Sequence, residues 1–267
     1  MSRVTHPALV GVPLGFAHRG FTPADRGNGG HAWENTLQAF QAALDLGLDH
    51  LETDVRATSD GVAVVMHDAD LSRTTGRATP VSQATWEDVR QVRVAGAHPV
   101  PRLEEVLAAF PGAVLNIDVK DPRAVRPLAG VLSRTGSGER VVVAAFDGRR
   151  ARAVQRLCPD VARSAGMAGS AGARLAAGVE RVSTRLGRLL LARAADGADA
   201  LQLPEHYGRL TVVTPRLVEL AHDVGIQVHV WTVDDPVDMD RLLDLGVDGL
   251  MSDRADLLSQ VLARRAG

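Results

Sequence analysis

The sequence predicts an α/β protein, a (β/α)8 TIM barrel with a small insertion after the hairpin of its second strand. Three observations lead there. Short apolar runs alternate with amphipathic stretches along the whole chain, the order expected of parallel strands joined by helices. The runs Leu14–His18, His50–Val55, Ala113–Val119, Val141–Phe146, Val161–Gly166, Ala198–Leu203, Ile226–Thr232 and Asp248–Ser252 give eight candidate strands. The chain also repeats itself: Leu44–Asp54 aligns without gaps to Leu243–Asp253, and Gly197–Leu203 is a fainter copy. In each copy a glycine (Gly47, Gly246, Gly197) is placed to end a helix in the left-handed conformation just before a strand begins. Repeated helix–Gly–strand units with eight strands in 267 residues match a barrel. The rival, a doubly wound open sheet, would carry a Gly-rich phosphate loop after its first strand, where His18-Arg19-Gly20 stands instead.

Each element has its own local reason. Leu37, Phe40 and Leu44 make an apolar stripe at helical spacing after the first strand. Asp60-Gly61 is a hairpin turn signal, so Val62–His67 is expected to run antiparallel beside the second strand. Residues 71–101 hold more chain than a loop needs and read as a small insertion in a single domain spanning 1–267. The boundaries are least defined in Ala162–Gly197, which is rich in Ala, Gly and Arg. Pro236, after Asp235, suits the first turn of a late helix.

Composition narrows the function. There are 30 basic against 32 acidic residues, a net charge of -2, so no overall field draws nucleic acid or an anionic membrane. Aromatic residues at 3% leave few platforms for base stacking. No apolar run approaches the length of a membrane span, and Cys158 is the only cysteine, which excludes an intramolecular disulfide. The expectation is a soluble cytoplasmic protein. Lys120 is the only lysine in a chain whose other basic residues are all arginine, and the two cations are not interchangeable.

The polar residues at the strand ends carry the chemistry. His18 and Arg19 close the first strand, and Glu52 and Asp54 lie two apart on the second, on one face. His67-Asp68 ends the hairpin strand, Asp118 and Lys120 end the third, Trp231 ends the seventh, and Asp253 follows the eighth. Barrel enzymes gather their reactive groups at these C-terminal strand ends. Glu52, Asp54 and Asp118 converging on one mouth would repel one another, and a hard divalent cation (Mg2+, Ca2+ or Mn2+) would relieve that. His18 and His67 beside such a cation suit a general base and a general acid, and Arg19 and Lys120 add donors for an anion. Together they describe metal-assisted phosphoryl transfer.

The ordered set of motifs resembles the glycerophosphodiester phosphodiesterase family over nearly the full length. It runs His18-Arg19-Gly20, Glu34-Asn35-Thr36-Leu37, Leu51-Glu52-Thr53-Asp54, Asp60-Gly61, His67-Asp68, Leu71 to Gly76, Pro101 to Leu107, Trp231-Thr232-Val233 and Asp248-Gly249. The resemblance implies a (β/α)8 barrel with an insertion after the His-Asp strand. It implies that Glu52, Asp54 and Asp118 hold one divalent cation, Mg2+ or Ca2+. His18 and His67 would be the acid/base pair, with Arg19 and Lys120 on the phosphate. The implied reaction starts from a glycerophosphodiester: its free hydroxyl attacks phosphorus and expels the alcohol. Water then opens the cyclic phosphate to glycerol 3-phosphate. Two departures stand out. Trp33 follows a Gly-rich, His31-containing loop where the family usually has Pro, and the third acid is Asp118 rather than Glu. Asp-x-Lys at this strand is also a feature of sphingomyelinase D enzymes.

Trp231 is read as a wall for the glycerol or head group and Glu34 as a candidate for substrate contact. Asn35 or Thr36 could equally cap the next helix, and Asp253 the last one. His6, His50, His98, His206, His222 and His229 are read as structural. Two rival functions share the barrel: a lysophospholipid or sphingolipid phosphodiesterase, and a barrel that binds phosphodiesters without cutting them.

Overall fold

The computed structural model describes residues 6–23, 32–179 and 183–266. At its centre eight parallel strands close into a ring: Leu14–His18, His50–Ala57, Val114–Val119, Val141–Ala144, Ala162–Ala165, Ala200–Pro204, Gln227–Trp231 and Gly249–Ser252. They are called here strands one to eight. Strand one pairs with strand eight (Leu14 opposite Gly249) and with strand two (Phe16 opposite His50), so the ring leaves no edge. All eight expected strands are present. The fourth ends two residues early, ahead of Asp147, which accepts from the Arg149 N–H and starts the helix Gly148–Leu157, and the fifth ends one residue early, ahead of the helix Met167–Val179.

Helices cover the ring from outside, and their ends obey the local chemistry. Thr36 caps Leu37–Asp45 by accepting from the Ala39 N–H, and Asp235 caps Pro236–Asp244 by accepting from the Val237 N–H. The repeated glycines take the conformation only they adopt freely: φ is 86° at Gly47, 73° at Gly197 and 95° at Gly246. The Ala- and Gly-rich stretch becomes two packed helices, Met167–Val179 and Thr184–Ala195. A Cβ at Gly172 would lie 2.6 Å from the Ala194 Cβ, so small residues are what allow the helices this close. That packing explains the missing apolar stripe, which had blurred the boundaries.

Ala63–Val65 runs antiparallel to the far end of strand two, with Val55 opposite Val65, as the turn signal predicts. Between that strand and the helix Leu103–Ala109 lie the short helices Ser72–Thr75 and Trp86–Val89 and the two-stranded ribbon Arg93–Val94/His98–Pro99. Met66, Leu71, Val81 and Val89 belong to an apolar cluster of their own under this segment.

The barrel interior is plugged at its N-terminal end. Leu9 and Leu14 pack there with Phe16, and the Gln227 side chain donates to the Leu9 carbonyl at 2.7 Å. Halfway up, Phe16 sits between His50 and His229, ring centroids 5.2 and 5.1 Å away. His229 is fully buried, and burial, aided by nearby His50, pushes its pKa down to about 3. Unfolded, the same ring takes up a proton near pH 6.5. Between these values the unfolded state binds more protons, so this contribution to stability is complete above about pH 6.5 and is lost as pH falls toward 3. His229→Gln, which keeps polar capacity beside Gln202 and Gln227, is therefore expected to lose less stability than wild type between about pH 7 and about pH 5. Urea unfolding at both pH values measures the difference, and equal losses would refute it.

Candidate active site

The chain builds the open end of the barrel from strand termini. After His18 the backbone turns sharply through Arg19 and Gly20, both left-handed at φ 58° and 84°. A Cβ at Gly20 would lie 2.7 Å from the Ala39 backbone, so the turn presses against the first helix and requires glycine. Glu52 and Asp54 share one face of strand two, and Asp118 of strand three lies opposite Asp54 in register. Lys120 follows two residues on, and His67 leaves the hairpin strand toward the same mouth. His18, Arg19, Glu52, His67, Asp118, Lys120 and Trp231 all line one cavity of about 400 Å³. Asp54 and Glu34 are buried just behind that wall, at 1% and 3% exposure.

Each histidine is held by a carboxylate. His18 Nδ1 donates to Asp253 Oδ1 at 2.6 Å, and His67 Nδ1 donates to Asp68 Oδ1 at 2.7 Å. An ionised carboxylate only accepts, so the proton sits on Nδ1 and Nε2 is left for other partners. Nε2 of His18 lies 3.7 Å from Glu52. Burial disfavours the charged His18 ring, but Glu52 and Asp253 outweigh it and raise its pKa. Asp253 is fixed in turn, its backbone N–H donating to Asp234 at 2.8 Å. Burial is the largest single influence on Asp68 and would raise its pKa, but hydrogen bonds from Arg73 and His67 together prevail and hold it down to about 2.

The acids share a small supply of positive charge. Asp54 accepts a hydrogen bond from Asn35 Nδ2 at 2.8 Å and lies in ion-pair contact with Arg19 Nε at 3.2 Å and Lys120 Nζ at 2.9 Å. Burial would raise its pKa, but Lys120 and Arg19 prevail and lower it. Lys120 also donates to Asp118 at 2.7 Å. Glu52 fares worse: burial first, then the neighbouring Asp54, push it up to about 7. Glu34 is clamped by Arg73 through two bonds of 2.6 and 2.8 Å, with Arg19 at 3.4 Å. Thus Arg19 and Lys120 hold carboxylates, and Glu34 meets arginines at the back of the site.

Several of these partners escaped the sequence reading. Asn35 is no helix cap: it accepts from Thr53 at 2.8 Å and donates to Asp54, while Thr36 caps the helix. Asp253 holds His18, and the internal repeat carried the signal, since it aligns Asp253 with Asp54. Arg73 reaches in from residues 71–101 to bind Asp68 and Glu34 together. Arg150 lines the cavity and donates to the Lys120 carbonyl at 2.7 Å. The Gly-rich loop and His31 lie outside the described residues apart from Ala32 and Trp33, the latter's ring meeting that of His98 at a tilt of 60°, centroids 4.7 Å apart.

Among the described residues, no three His, Cys, Asp or Glu side chains stand as a ready-made metal cage. The donor chemistry nevertheless suits a hard cation. Among the described residues Asp118 Oδ1 is buried with no hydrogen-bond partner, Asp54 Oδ1 has Lys120 nearby but accepts no hydrogen bond, and Glu52 is hard to ionise because of burial and the neighbouring Asp54.

Fold and site together define a closed (β/α)8 barrel with a histidine–carboxylate centre at its C-terminal mouth. A family model described as the glycerophosphoryl diester phosphodiesterase family matches residues 25–257, and the chain belongs to that family. It is 41% identical to a Mycobacterium tuberculosis protein named "Probable glycerophosphodiester phosphodiesterase 2", over 96% of this chain and 92% of that one. It is 29% identical to a glycerophosphodiester phosphodiesterase of Caldanaerobacter subterraneus, over 91% of this chain and 98% of that one. Among solved structures, a glycerophosphodiester phosphodiesterase from Agrobacterium tumefaciens superposes with a TM-score of 0.73 at 25% identity, covering 95% and 99% of the two chains. An Oleispira antarctica phosphodiesterase in complex with the product sn-glycerol-3-phosphate shares the fold at a TM-score of 0.72 and 20% identity, covering 94% and 97%.

The Arg73 clamp has a measurable consequence. Arg73→Met leaves the buried Glu34 carboxylate without its two-bond partner and is expected to cost about 2 kcal/mol of stability. Adding Glu34→Gln removes the charge that Arg73 had neutralised and should recover most of the loss. Thermal unfolding of both variants checks this, and a double variant no more stable than Arg73→Met would contradict it.

Proposed function

We propose that the protein hydrolyses glycerophosphodiesters to glycerol 3-phosphate and an alcohol. The observation that carries the reading is a pair of carboxylate-held histidines, His18–Asp253 and His67–Asp68, on one cavity with Glu52, Asp118 and Lys120. The names of the relatives, and the product described with the Oleispira protein, point to the same substrate class.

In this reading His18 and His67 move the protons. One accepts a proton at Nε2 from the glycerol hydroxyl as that oxygen bonds to phosphorus. The other gives a proton to the departing head-group oxygen, and the product is a five-membered cyclic phosphate. Water then opens the ring with the two roles exchanged. Asp253 and Asp68 keep both rings in the tautomer this needs and stabilise each when protonated. Glu52, Asp54 and Asp118 would hold one divalent cation, Mg2+ or Ca2+. Such an ion supplies charge neutralisation at a phosphoryl oxygen. Arg19 and Lys120 would add donors to the phosphate, and Trp231, 36% exposed at the cavity rim, would flank the glycerol or head group.

The test is glycerol 3-phosphate release from glycerophosphocholine, glycerophosphoethanolamine and glycerophosphoglycerol, with EDTA and then with Mg2+ or Ca2+ restored. Release that stops in EDTA and returns with the cation is expected. Silence on all three with both cations would overturn the reading in favour of a lipid-linked diester or of binding without cutting. His18→Ala and His67→Ala are each expected to lower kcat by at least about a thousandfold without unfolding the protein. Asp253→Asn, which leaves His18 in place but removes the charge behind it, should lower kcat by about ten- to a hundredfold. Near-wild-type turnover in either histidine variant would remove the pair from the mechanism.

A further inference from the structure

We infer that the Lys120 ammonium and a divalent cation compete for the same two carboxylates, and that cation binding releases Lys120 toward the phosphate. This rests on the metal-assisted reading above and concerns what the chain itself does when the cation arrives.

The oxygens are accounted for one by one. Asp54 is 1% exposed, and its Oδ2 already accepts from Asn35 at 2.8 Å and pairs with the Arg19 guanidinium, whose Nε lies 3.2 Å away. Its remaining oxygen, Oδ1, faces Lys120 Nζ at 2.9 Å. Asp118 offers Oδ2 to the same ammonium at 2.7 Å. Both acids therefore commit to one lysine an oxygen that a cation would need. An ammonium and a divalent cation cannot share these atoms without strong like-charge repulsion at contact distance. Asp118 Oδ1, buried and without a hydrogen-bond partner, gives the incoming ion a ligand that Lys120 does not satisfy.

Lys120 is built to move its head and not its backbone. Its N–H donates to the Val55 carbonyl at 3.1 Å, and its own carbonyl accepts from Arg150 at 2.7 Å. The side chain, 20% exposed, lines the cavity, so rotation of a flexible four-carbon stem carries the ammonium from the acids into the space where the substrate's phosphate must lie. An arginine could not make this exchange on a comparably short stroke, since its planar fork is directional. The consequence is coupling: cation and anion each strengthen the other's binding through Lys120, by the same factor in both directions.

The sole lysine makes the test residue-specific. Protein grown with 13C,15N-lysine carries one labelled side chain, so its Cε–Nζ resonance reports Lys120 alone. The resonance is expected to move as Mg2+ or Ca2+ is titrated into EDTA-treated protein, and to move again when sn-glycerol 3-phosphate is added. By calorimetry, Lys120→Met and Lys120→Gln should bind the cation about tenfold tighter than wild type without an anion. In both variants the cation should also tighten glycerol 3-phosphate binding less than in wild type. If the cation binds but the Lys120 resonance stays still, or neither variant binds it more tightly, the exchange is wrong while the metal-assisted reading stands. If neither cation binds wild type at all, that reading fails with it. The resonance is measured on the unaltered chain, so the test survives if a variant does not fold.

Discussion

Glu52, Asp54 and Asp118 crowd the mouth of the barrel with more negative charge than a closed, largely apolar scaffold tolerates on its own. The surrounding residues answer that constraint. Arg19 is bent into the site by a left-handed turn and lies against Asp54 and Glu34. Lys120 bridges Asp54 and Asp118, and Arg73 comes from outside the barrel to neutralise Glu34. Even so, Glu52 remains hard to ionise because burial and Asp54 both oppose its charge. A site in this condition holds electrostatic free energy that a bound cation or a protonated histidine would release.

The histidines show how the barrel positions titratable groups in this field. Their carboxylate partners arrive from different parts of the chain: Asp68 is the next residue after His67, whereas Asp253 lies 235 residues from His18. Closure of the ring between strands one and eight makes the second contact possible. Leu9, Leu14 and Phe16 fill the lower barrel, and the cavity that His18, Glu52 and Lys120 line lies at the C-terminal mouth. The segment 71–101 adds a side wall: through Arg73 it ties the His67–Asp68 pair to Glu34 behind the opposite strand end.

Much of this was legible in the chain alone, and for identifiable reasons. Strand positions follow from apolar runs, and the period of two put Glu52 and Asp54 on one face, with Asp118 and Lys120 likewise paired. The repeat ending in Asp54 and Asp253 showed the unit from which the barrel is built. These are local properties, determined within ten residues or so of chain. The helices Met167–Val179 and Thr184–Ala195 were less legible because glycine and alanine at their contact carry no amphipathic signature.

What the sequence by itself determined is the set of side chains delivered to the barrel mouth, since strand periodicity and strand ends decide which residues face inward at the top. What only the tertiary structure decided is their pairing. Asn35 chose Asp54 over a helix terminus, Asp253 pairs with His18 across the closed ring, and Lys120 settled between two acids. Such choices depend on distances between residues far apart in the chain and on how little water reaches them. Low exposure makes each unpaired charge costly, so the folded arrangement selects partners that no local pattern encodes.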